Sequence, residues 1–172
     1  MGNIVDERVD CIVNAANSEL SGGGGVDGAI HCIAGWNELN DECEKIGHCD
    51  VGQAVITPPC NMEGQIKAII HTVGPFCSSQ SRWNEKPSKS EMLSLYNCYF
   101  NSLKLANEHS FKTISFPSIA TGIFGFPLTY APDVFKDAIN MFEKYVDTTI
   151  EEINMVCFDK ETYQAYYKYF EK

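Results

Sequence analysis

Long apolar segments are missing from this chain of 172 residues. No run approaches the roughly 18–20 apolar residues that cross a bilayer. The N-terminus, MGNIVDERVD, is acidic, whereas a signal peptide begins with basic residues and continues with apolar ones. We therefore expect no association with a membrane. Low-complexity stretches and internal repeats are missing as well, so residues 1–172 are predicted to form a single domain.

Basic residues are scarce, because 13 lysines and arginines stand against 23 aspartates and glutamates and leave a formal net charge of −10. Proteins that grip nucleic acid depend on lysine and arginine to neutralise phosphates. We therefore do not expect nucleic acid as a partner. The charge still allows a small anionic ligand that backbone dipoles hold.

Paired cysteine motifs are also missing. The eight cysteines include no CxxC pair, and several lie in apolar segments, where a free cysteine behaves as a small hydrophobic residue. This pattern favours a reducing location, cytoplasmic or otherwise intracellular, over a disulfide scaffold. Cys43, His48 and Cys49 lie close together but have no second pair at ligand spacing. We predict no bound metal and no other cofactor.

Short apolar segments alternate along the chain with patterns of helical period, which predicts an α/β domain. The unit from Thr113 to Phe158 reads strand, loop, helix and strand, so its two strands should be parallel, with a right-handed crossover. Cys77–Lys89 is polar and is predicted to be a long loop. The predicted strands are Val9–Asn14, Gln53–Pro58, Lys67–Val73, Thr113–Pro117 and Ile153–Phe158, and the predicted helices are Asp27–Ala34, Glu38–Ile46, Ser90–Glu108, Ala131–Val146 and Glu161–Glu171.

Two glycine-rich segments follow predicted strands, and ligands of open α/β sheets bind at such carboxyl ends. Gly22–Gly25 precede a helix, and the backbone N–H groups of such a loop form a nest for an anion, most often a phosphate. Ser118–Pro127 would supply the opposite wall. No lysine or arginine occurs in 9–44 or 113–135, so a phosphate here would depend on backbone amides. The alternative is a merely flexible loop, because the glycine run matches neither GxxxxGK[ST] nor GxGxxG.

Three segments carry a family resemblance: VDCIVNAANSELSGGGGVDGAIHCIAG (9–35), IIHTVGP (69–75) and ISFPSIATGIFGFP (114–127). In sequence, order and spacing they resemble the macrodomain (Appr-1″-p processing) family in its MacroD-type form. With the last strand and helix, the resemblance covers nearly the whole chain. It implies a three-layer α/β/α fold with a central mixed sheet and an ADP-ribose cleft across the strand ends.

The same resemblance assigns roles to residues. Gly22–Val26 would wrap one side of the diphosphate and the distal ribose, and Ser118–Phe124 the other side. Asn17 matches an asparagine that binds the distal ribose, Asp27 the catalytic acid of hydrolytic members, and His31 a supporting histidine. The predicted catalytic residues are Asn17, Asp27 and His31. The residues predicted to contact ADP-ribose are Asn3, Ile4, Ala15, Asn17, Gly22, Gly23, Gly24, Gly25, Val26, Ser118, Ala120, Thr121, Gly122, Ile123, Phe124 and Phe158.

Several polar residues near these segments have alternative interpretations. A carboxylate at Asp27, in the first turn of a helix, is also favoured by free N–H groups and the helix dipole, so a capping role is the alternative. His31 lies four residues on, and we favour a buried histidine satisfied by Asp27 over general acid–base work. His71 is predicted to be a core residue or to support the site from behind. Asn14 and Asn17 are predicted to face the cleft, with local bonds to the loop backbone as the alternative.

The chain departs from the family at its N-terminus. Macrodomains usually begin with an edge strand and a GDI motif whose aspartate accepts a hydrogen bond from the adenine amino group. The given sequence opens at Met1, so we expect this edge strand to be missing, and Asn3 offers only an uncharged oxygen. We predict altered adenine recognition and some self-association through an open sheet edge. Phe158 is predicted either to lie under the adenine or to be a buried core aromatic.

The predicted function is hydrolysis of mono-ADP-ribose from acidic side chains of proteins, with ADP-ribose and ADP-ribosylated proteins as partners. O-acetyl-ADP-ribose, which has a similar ester on the same ribose, is a second predicted substrate. Asp27 would orient or deprotonate a water, assisted by a diphosphate oxygen. The alternatives are a reader that binds ADP-ribose without cleaving it, and a binder of another nucleotide diphosphate. Other hydrolytic chemistries lack their residues: there is no GxSxG elbow, and only one acid in a candidate loop, where glycosidases need two.

Overall fold

The computed structural model describes residues 1–77 and 85–170, which contain one five-stranded sheet and five α-helices. The strands are β1 Cys11–Ala15, β2 Ala54–Thr57, β3 Ala68–Thr72, β4 Thr113–Pro117 and β5 Glu152–Val156, and the helices are α1 Gly25–Ala34, α2 Trp36–Ile46, α3 Lys89–Glu108, α4 Ala131–Tyr145 and α5 Lys160–Phe170. In this part of the chain, no helix has the length and apolar character needed to cross a membrane.

The sheet has the strand order β2-β3-β1-β4-β5. β1 pairs in parallel with both β3 and β4, and β2 pairs antiparallel with β3. The predicted parallel pairing of the last two strands is confirmed, since Thr113 lies beside Glu152 and Pro117 beside Val156. Within the described residues, β5 pairs with β4 alone, which leaves its other edge unpaired.

The sheet lies between two helical layers, as the resemblance implied. Alternate residues of a strand point to opposite faces. Cys11 and Val13 therefore pack on the side of α3, α4 and α5, whereas Ile12 packs on the side of α1 and α2. The central strands are buried on both faces, which explains why their sequences are apolar almost throughout.

Several element boundaries differ from the sequence prediction for identifiable reasons. β1 begins at Cys11, two residues later than predicted, because the Asp10 N–H donates to the side-chain oxygen of Thr113 at 2.8 Å and not to a strand carbonyl. α3 begins at Lys89, because Ser88 and Glu91 form a capping box. Residues 78–84 of the predicted Cys77–Lys89 loop, and the last residue of the predicted C-terminal helix, lie outside the described residues.

Candidate functional site

The two glycine-rich segments meet at one edge of the sheet. β1 and β4 are parallel neighbours, so the chain leaves both strands at the same edge. We call Gly22–Gly25 the glycine loop and Ser118–Phe124 the second loop. The chain after β3 contacts the second loop, since the Cys77 N–H donates to the Phe124 carbonyl at 2.7 Å. The two predicted walls of a cleft therefore lie at the same edge of the sheet.

The glycine loop requires a glycine at Gly22. Gly22 has φ +78°, and a Cβ there would lie 2.5 Å from Cζ3 of Trp36. Gly24 is the N-cap of α1 and makes no side-chain capping bond. The first-turn N–H groups of α1 are thus not covered by a capping side chain. Such N–H groups, together with the helix dipole, favour an anion.

Asn17 makes hydrogen bonds to the backbone at the start of the glycine loop. Its Nδ2 donates to the Gly22 carbonyl at 3.0 Å, and its Oδ1 accepts from the Ser21 N–H at 3.2 Å. These contacts match the alternative interpretation, in which Asn17 bonds to nearby backbone. Contact of Asn17 with a ribose stays a prediction.

Two tyrosines from distant helices support the second loop, and sequence reasoning did not identify either. The hydroxyls of Ser118 and Tyr166 lie 3.0 Å apart, and Thr121 donates to Ser118 Oγ at 2.8 Å. The Ile119 N–H donates to the Tyr99 hydroxyl at 3.2 Å. Burial raises the pKa of Tyr166 to about 12, so this hydroxyl is neutral.

The tip of the second loop is strained and apolar. Ala120 has φ +63°, a conformation that costs energy for a residue with a Cβ. The Ile123 side chain is 87% exposed. Phe124 is half-buried, and its ring lies edge-on at 5.6 Å from Phe76. The second loop therefore presents apolar groups at the edge of the sheet where the chain leaves β4.

Asp27 is the acid of the site. Its Oδ1 accepts a hydrogen bond from Asn14 Nδ2 at 2.8 Å and lies 3.0 Å from His31 Nδ1. Its Oδ2 lies on the side of the glycine loop, since a Cβ added to Gly23 would be 3.5 Å from this oxygen. Among the described residues, the hydrogen bonds of this carboxylate come from side chains and not from the helix N–H groups, although its place in the first turn of α1 also puts it near the positive end of the helix dipole.

His31 is buried against Asp27, with 1% of its surface exposed. Its Nδ1 also lies 2.9 Å from the Asp27 carbonyl, and its ring is 4.8 Å from the Trp36 ring. Burial alone would lower the pKa of His31, but the hydrogen bond to the Asp27 carboxylate, the interaction with the Cys43 side chain, the Asp27 carbonyl and the carboxylate charge together raise the pKa to about 10. A histidine that already holds its proton orients Asp27 and does not act as a base at neutral pH.

Asn14 does not face the cleft, and that prediction is wrong. It lies within β1, fully buried, and its Nδ2 contacts His71 Nδ1 at 3.1 Å in addition to Asp27. His71 is a core residue, as predicted, and its Nε2 lies 2.9 Å from Thr57 Oγ1. Burial lowers the pKa of His71 to about 4, so the ring is neutral.

The predicted adenine end combines the N-terminus and the end of β5, since the Gly2 N–H donates to the Cys157 carbonyl at 3.0 Å. Phe158 is 74% exposed, so the core interpretation is wrong and its ring is free to stack. Ile4 is buried, which leaves only its backbone for a ligand. Asn3 Oδ1 accepts from the Val5 N–H at 3.3 Å.

The described residues contain no group of three or more histidines, cysteines or acids that could hold a metal ion. The site instead combines uncovered helix N–H groups, an apolar loop at the same edge of the sheet and one fixed carboxylate. These features define an α/β domain with a place for an anion at the start of α1 and a carboxylate beside it.

Comparison with known proteins identifies the family. The family model "Macro domain" matches residues 13–135. The chain belongs to the macrodomain family.

Two curated relatives have hydrolase names. One is the O-acetyl-ADP-ribose deacetylase of Escherichia fergusonii, which is 43% identical over 96% of this chain and 89% of its own length. The other is the mouse ADP-ribose glycohydrolase MACROD1, which is 41% identical over 93% of this chain but only 47% of its own length.

Solved structures share the fold. The Oceanobacillus iheyensis macrodomain with ADP superposes with a TM-score of 0.85 at 34% identity, over 99% of this chain and 87% of the other. The Trypanosoma brucei macrodomain in complex with ADP-ribose has a TM-score of 0.83 at 31% identity, over 98% of this chain and 66% of the other.

Proposed function

We propose that this protein binds ADP-ribose and hydrolyses the ester that joins its distal ribose to an acyl group. The acyl group is the side chain of a glutamate or aspartate in a modified protein, or the acetyl group of O-acetyl-ADP-ribose. Both substrates present a similar ester on the same sugar. The names of the relatives and the ADP-ribose and ADP of the solved macrodomains support this assignment.

The observation that carries the proposal is the arrangement of Asp27. Its Oδ1 is held by Asn14 and His31, whereas its Oδ2 lies on the side of the glycine loop. A module that only binds the diphosphate needs the loop amides but has no use for a carboxylate held in this way. A carboxylate next to a bound diphosphate also repels it. In a protein that only binds ADP-ribose, this repulsion would weaken binding and bring no benefit.

The two loops bind the substrate. The first-turn amides of α1 and the backbone of the glycine loop bind the diphosphate, so a protein with net charge −10 holds an anion without lysine or arginine nearby. Phe124 packs against the distal ribose, and Phe158 stacks on the adenine. The distal ribose then lies between the second loop and Asp27.

Asp27 acts on the water. The carboxylate Oδ2 accepts a hydrogen bond from a water and orients it toward the ester, and a diphosphate oxygen assists. Water adds to the ester, the bond to the departing oxygen breaks, and the proton of the water reaches that oxygen. His31 keeps its own proton and holds Oδ1. General-base help of this kind contributes about 10²–10⁴-fold.

The test is release of ADP-ribose from a glutamate-linked, automodified protein and acetate release from O-acetyl-ADP-ribose. Wild type is compared with Asp27→Ala, with the isosteric Asp27→Asn, and with Asp41→Asn, a matched control on the exposed face of α2. We expect turnover by wild type and the control, and a loss of about 10²-fold or more in both Asp27 variants. ADP-ribose affinity, measured by calorimetry, should stay within a few-fold.

Tight ADP-ribose binding by wild type with no turnover of either substrate would instead make this protein a reader. Tighter binding of another nucleotide diphosphate than of ADP-ribose would contradict the ligand assignment. The first outcome would reject the catalytic role of Asp27, and the second would reject the assignment of the adenine end. Neither would change the location of the cleft.

We also propose that the unpaired edge of β5 supports weak self-association, because unpaired strand N–H and C=O groups favour pairing with another strand. A monomer in sedimentation at high concentration would contradict this. Seven cysteines, namely Cys11, Cys32, Cys43, Cys49, Cys60, Cys98 and Cys157, are free thiols. A reducing, intracellular location stays a prediction.

A further inference from the structure

Five buried polar side chains form a continuous row through the otherwise apolar layer between the sheet and α1. Asn14 and His71 are partners in the parallel register of β1 and β3, so their side chains share a face. Thr57 lies on the same face of β2, two residues from Val55, which pairs with His71. The row runs Thr57, His71, Asn14, Asp27 and His31, and none of the five is more than 6% exposed.

The chemistry of the row determines the direction of each hydrogen bond. Asp27 Oδ1 only accepts, so Asn14 must present its NH₂ group to it. The second N–H of that group points at His71 Nδ1, which must therefore be the unprotonated nitrogen. The ring proton then lies on Nε2 and is donated to Thr57 Oγ1. Each partner thus determines the orientation of the next.

This orientation has a cost for Asn14. Its Oδ1 is buried and has no hydrogen-bond partner among the described residues. A buried acceptor without a partner is unfavourable. The opposite orientation would place this oxygen against the carboxylate and leave the NH₂ group without acceptors. In this arrangement Asn14 Oδ1 is left without a hydrogen-bond partner, whereas Asp27 Oδ1 is held by the NH₂ group.

We propose that Thr57 and His71 are positioning residues, which act through Asn14 to hold Asp27 Oδ1 and to keep Oδ2 directed at the glycine loop. This proposal rests on the proposed function for its kinetic consequence, but the hydrogen-bond row itself is independent of catalysis. Neither Thr57 nor His71 touches the cleft. Their effect is on the orientation of the acid, and it should appear in kcat and not in ADP-ribose affinity.

Thr57→Val tests the proposal with almost no change in shape. The His71 Nε2–H loses its acceptor, the ring is released from its tautomer, and Asn14 is loosened. We expect kcat to fall about tenfold, a part of the full general-base contribution, with the ADP-ribose dissociation constant within twofold. Thr57→Ser keeps a hydroxyl and should restore most of the activity.

Thr72→Val is the matched control. Thr72 is a buried threonine of the neighbouring β3, and its hydroxyl donates to the Gln53 carbonyl at 2.7 Å, away from Asp27. It should cost similar stability and leave kcat within twofold. An equal loss of kcat in Thr57→Val and Thr72→Val, or no rescue by Thr57→Ser, would overturn the proposal.

Nitrogen-15 NMR of the side chains separates this proposal from the proposed function. In wild type we expect His71 protonated on Nε2 and bare on Nδ1, and we expect the Asn14 NH₂ resonances to shift in Thr57→Val but not in Thr72→Val. A His71 protonated on Nδ1, or Asn14 resonances that do not respond to Thr57→Val, would reject the row. If wild type turns over neither substrate, the proposed function fails, and these spectra still decide whether the row holds Asp27.

Discussion

The substitution Gly28→Ala has two opposing effects: it raises the helix propensity of α1, and it introduces a close contact with the glycine loop. Gly28 lies inside α1, where alanine is normally favoured over glycine by about 1 kcal/mol. A Cβ at this position would lie 2.5 Å from the Gly23 carbonyl oxygen, which is backbone and belongs to the glycine loop. Side-chain Cβ atoms essentially never come closer than 3.0 Å, so this oxygen must move by about half an ångström or more.

The two effects nearly cancel in the free energy of unfolding, but they do not cancel in the affinity for ADP-ribose. Overpacking of this size costs about 1–3 kcal/mol, so the substitution should be neutral or destabilise by up to about 2 kcal/mol. The displacement acts on the loop whose amides we propose to bind the diphosphate. We expect ADP-ribose affinity to fall about tenfold, or about 1.4 kcal/mol, as measured by calorimetry next to thermal denaturation.

Ala29→Gly, the next residue in the same helix, is the control. It should cost about 1 kcal/mol through helix propensity and leave ADP-ribose affinity unchanged, because it does not press on Gly23. A Gly28→Ala protein that melts higher than wild type and binds ADP-ribose equally well would refute the reasoning. Helix propensity would then outweigh the contact, and the Gly23 carbonyl would have no part in shaping the diphosphate site.

Three further predictions follow from single contacts. Because the pKa of His31 is raised from 6.5 to about 10, its stabilising effect is complete below pH 6.5 and is lost as the pH rises through 10. The difference in unfolding free energy between wild type and His31→Gln, from urea titrations, should shrink over that range by up to about 5 kcal/mol; an equal difference at both ends contradicts this. Tyr166→Phe removes the bond to Ser118 and should cost about 1 kcal/mol and weaken ADP-ribose binding a few-fold, whereas Tyr163→Phe on the same helix should change neither. Asn3→Asp keeps one oxygen for its backbone bond and frees a charged one for the adenine amino group, so calorimetry should show tighter ADP-ribose binding by about tenfold or less; unchanged affinity would mean that Asn3 does not contact the adenine.

The parts of the site that lie on continuous segments could be predicted from the sequence. The glycine loop is four neighbouring residues between a strand and a helix, and the spacing of Asp27 and His31 places them on one helix face. The alternation of strands and helices likewise predicted the α/β class. Each of these signals depends on residues within a few positions of one another.

Asn14 shows where such reasoning failed. A position at the end of a strand suggested that its amide faces the cleft, but the side chain points between the sheet and α1. The face on which it lies depends on the register of β1 against β3, which pairs residues 57 positions apart. For Phe158 the sequence left two interpretations open, and its exposed ring excludes the core one, because β5 ends at Val156.

The sequence by itself determined the order of strands and helices, the two glycine-rich loops and the acid that follows the first of them. It did so because propensity, turn chemistry and helical spacing act between near neighbours. Only the tertiary structure decided that Tyr166 supports a loop 48 residues away and that Thr57 and His71 lie behind Asp27. Such contacts leave no local pattern, because a tyrosine or threonine in an element has the same neighbours in sequence whether its hydroxyl faces water or a distant loop. The packing of the two helical layers on the sheet determines whether such a hydroxyl faces water or a distant loop.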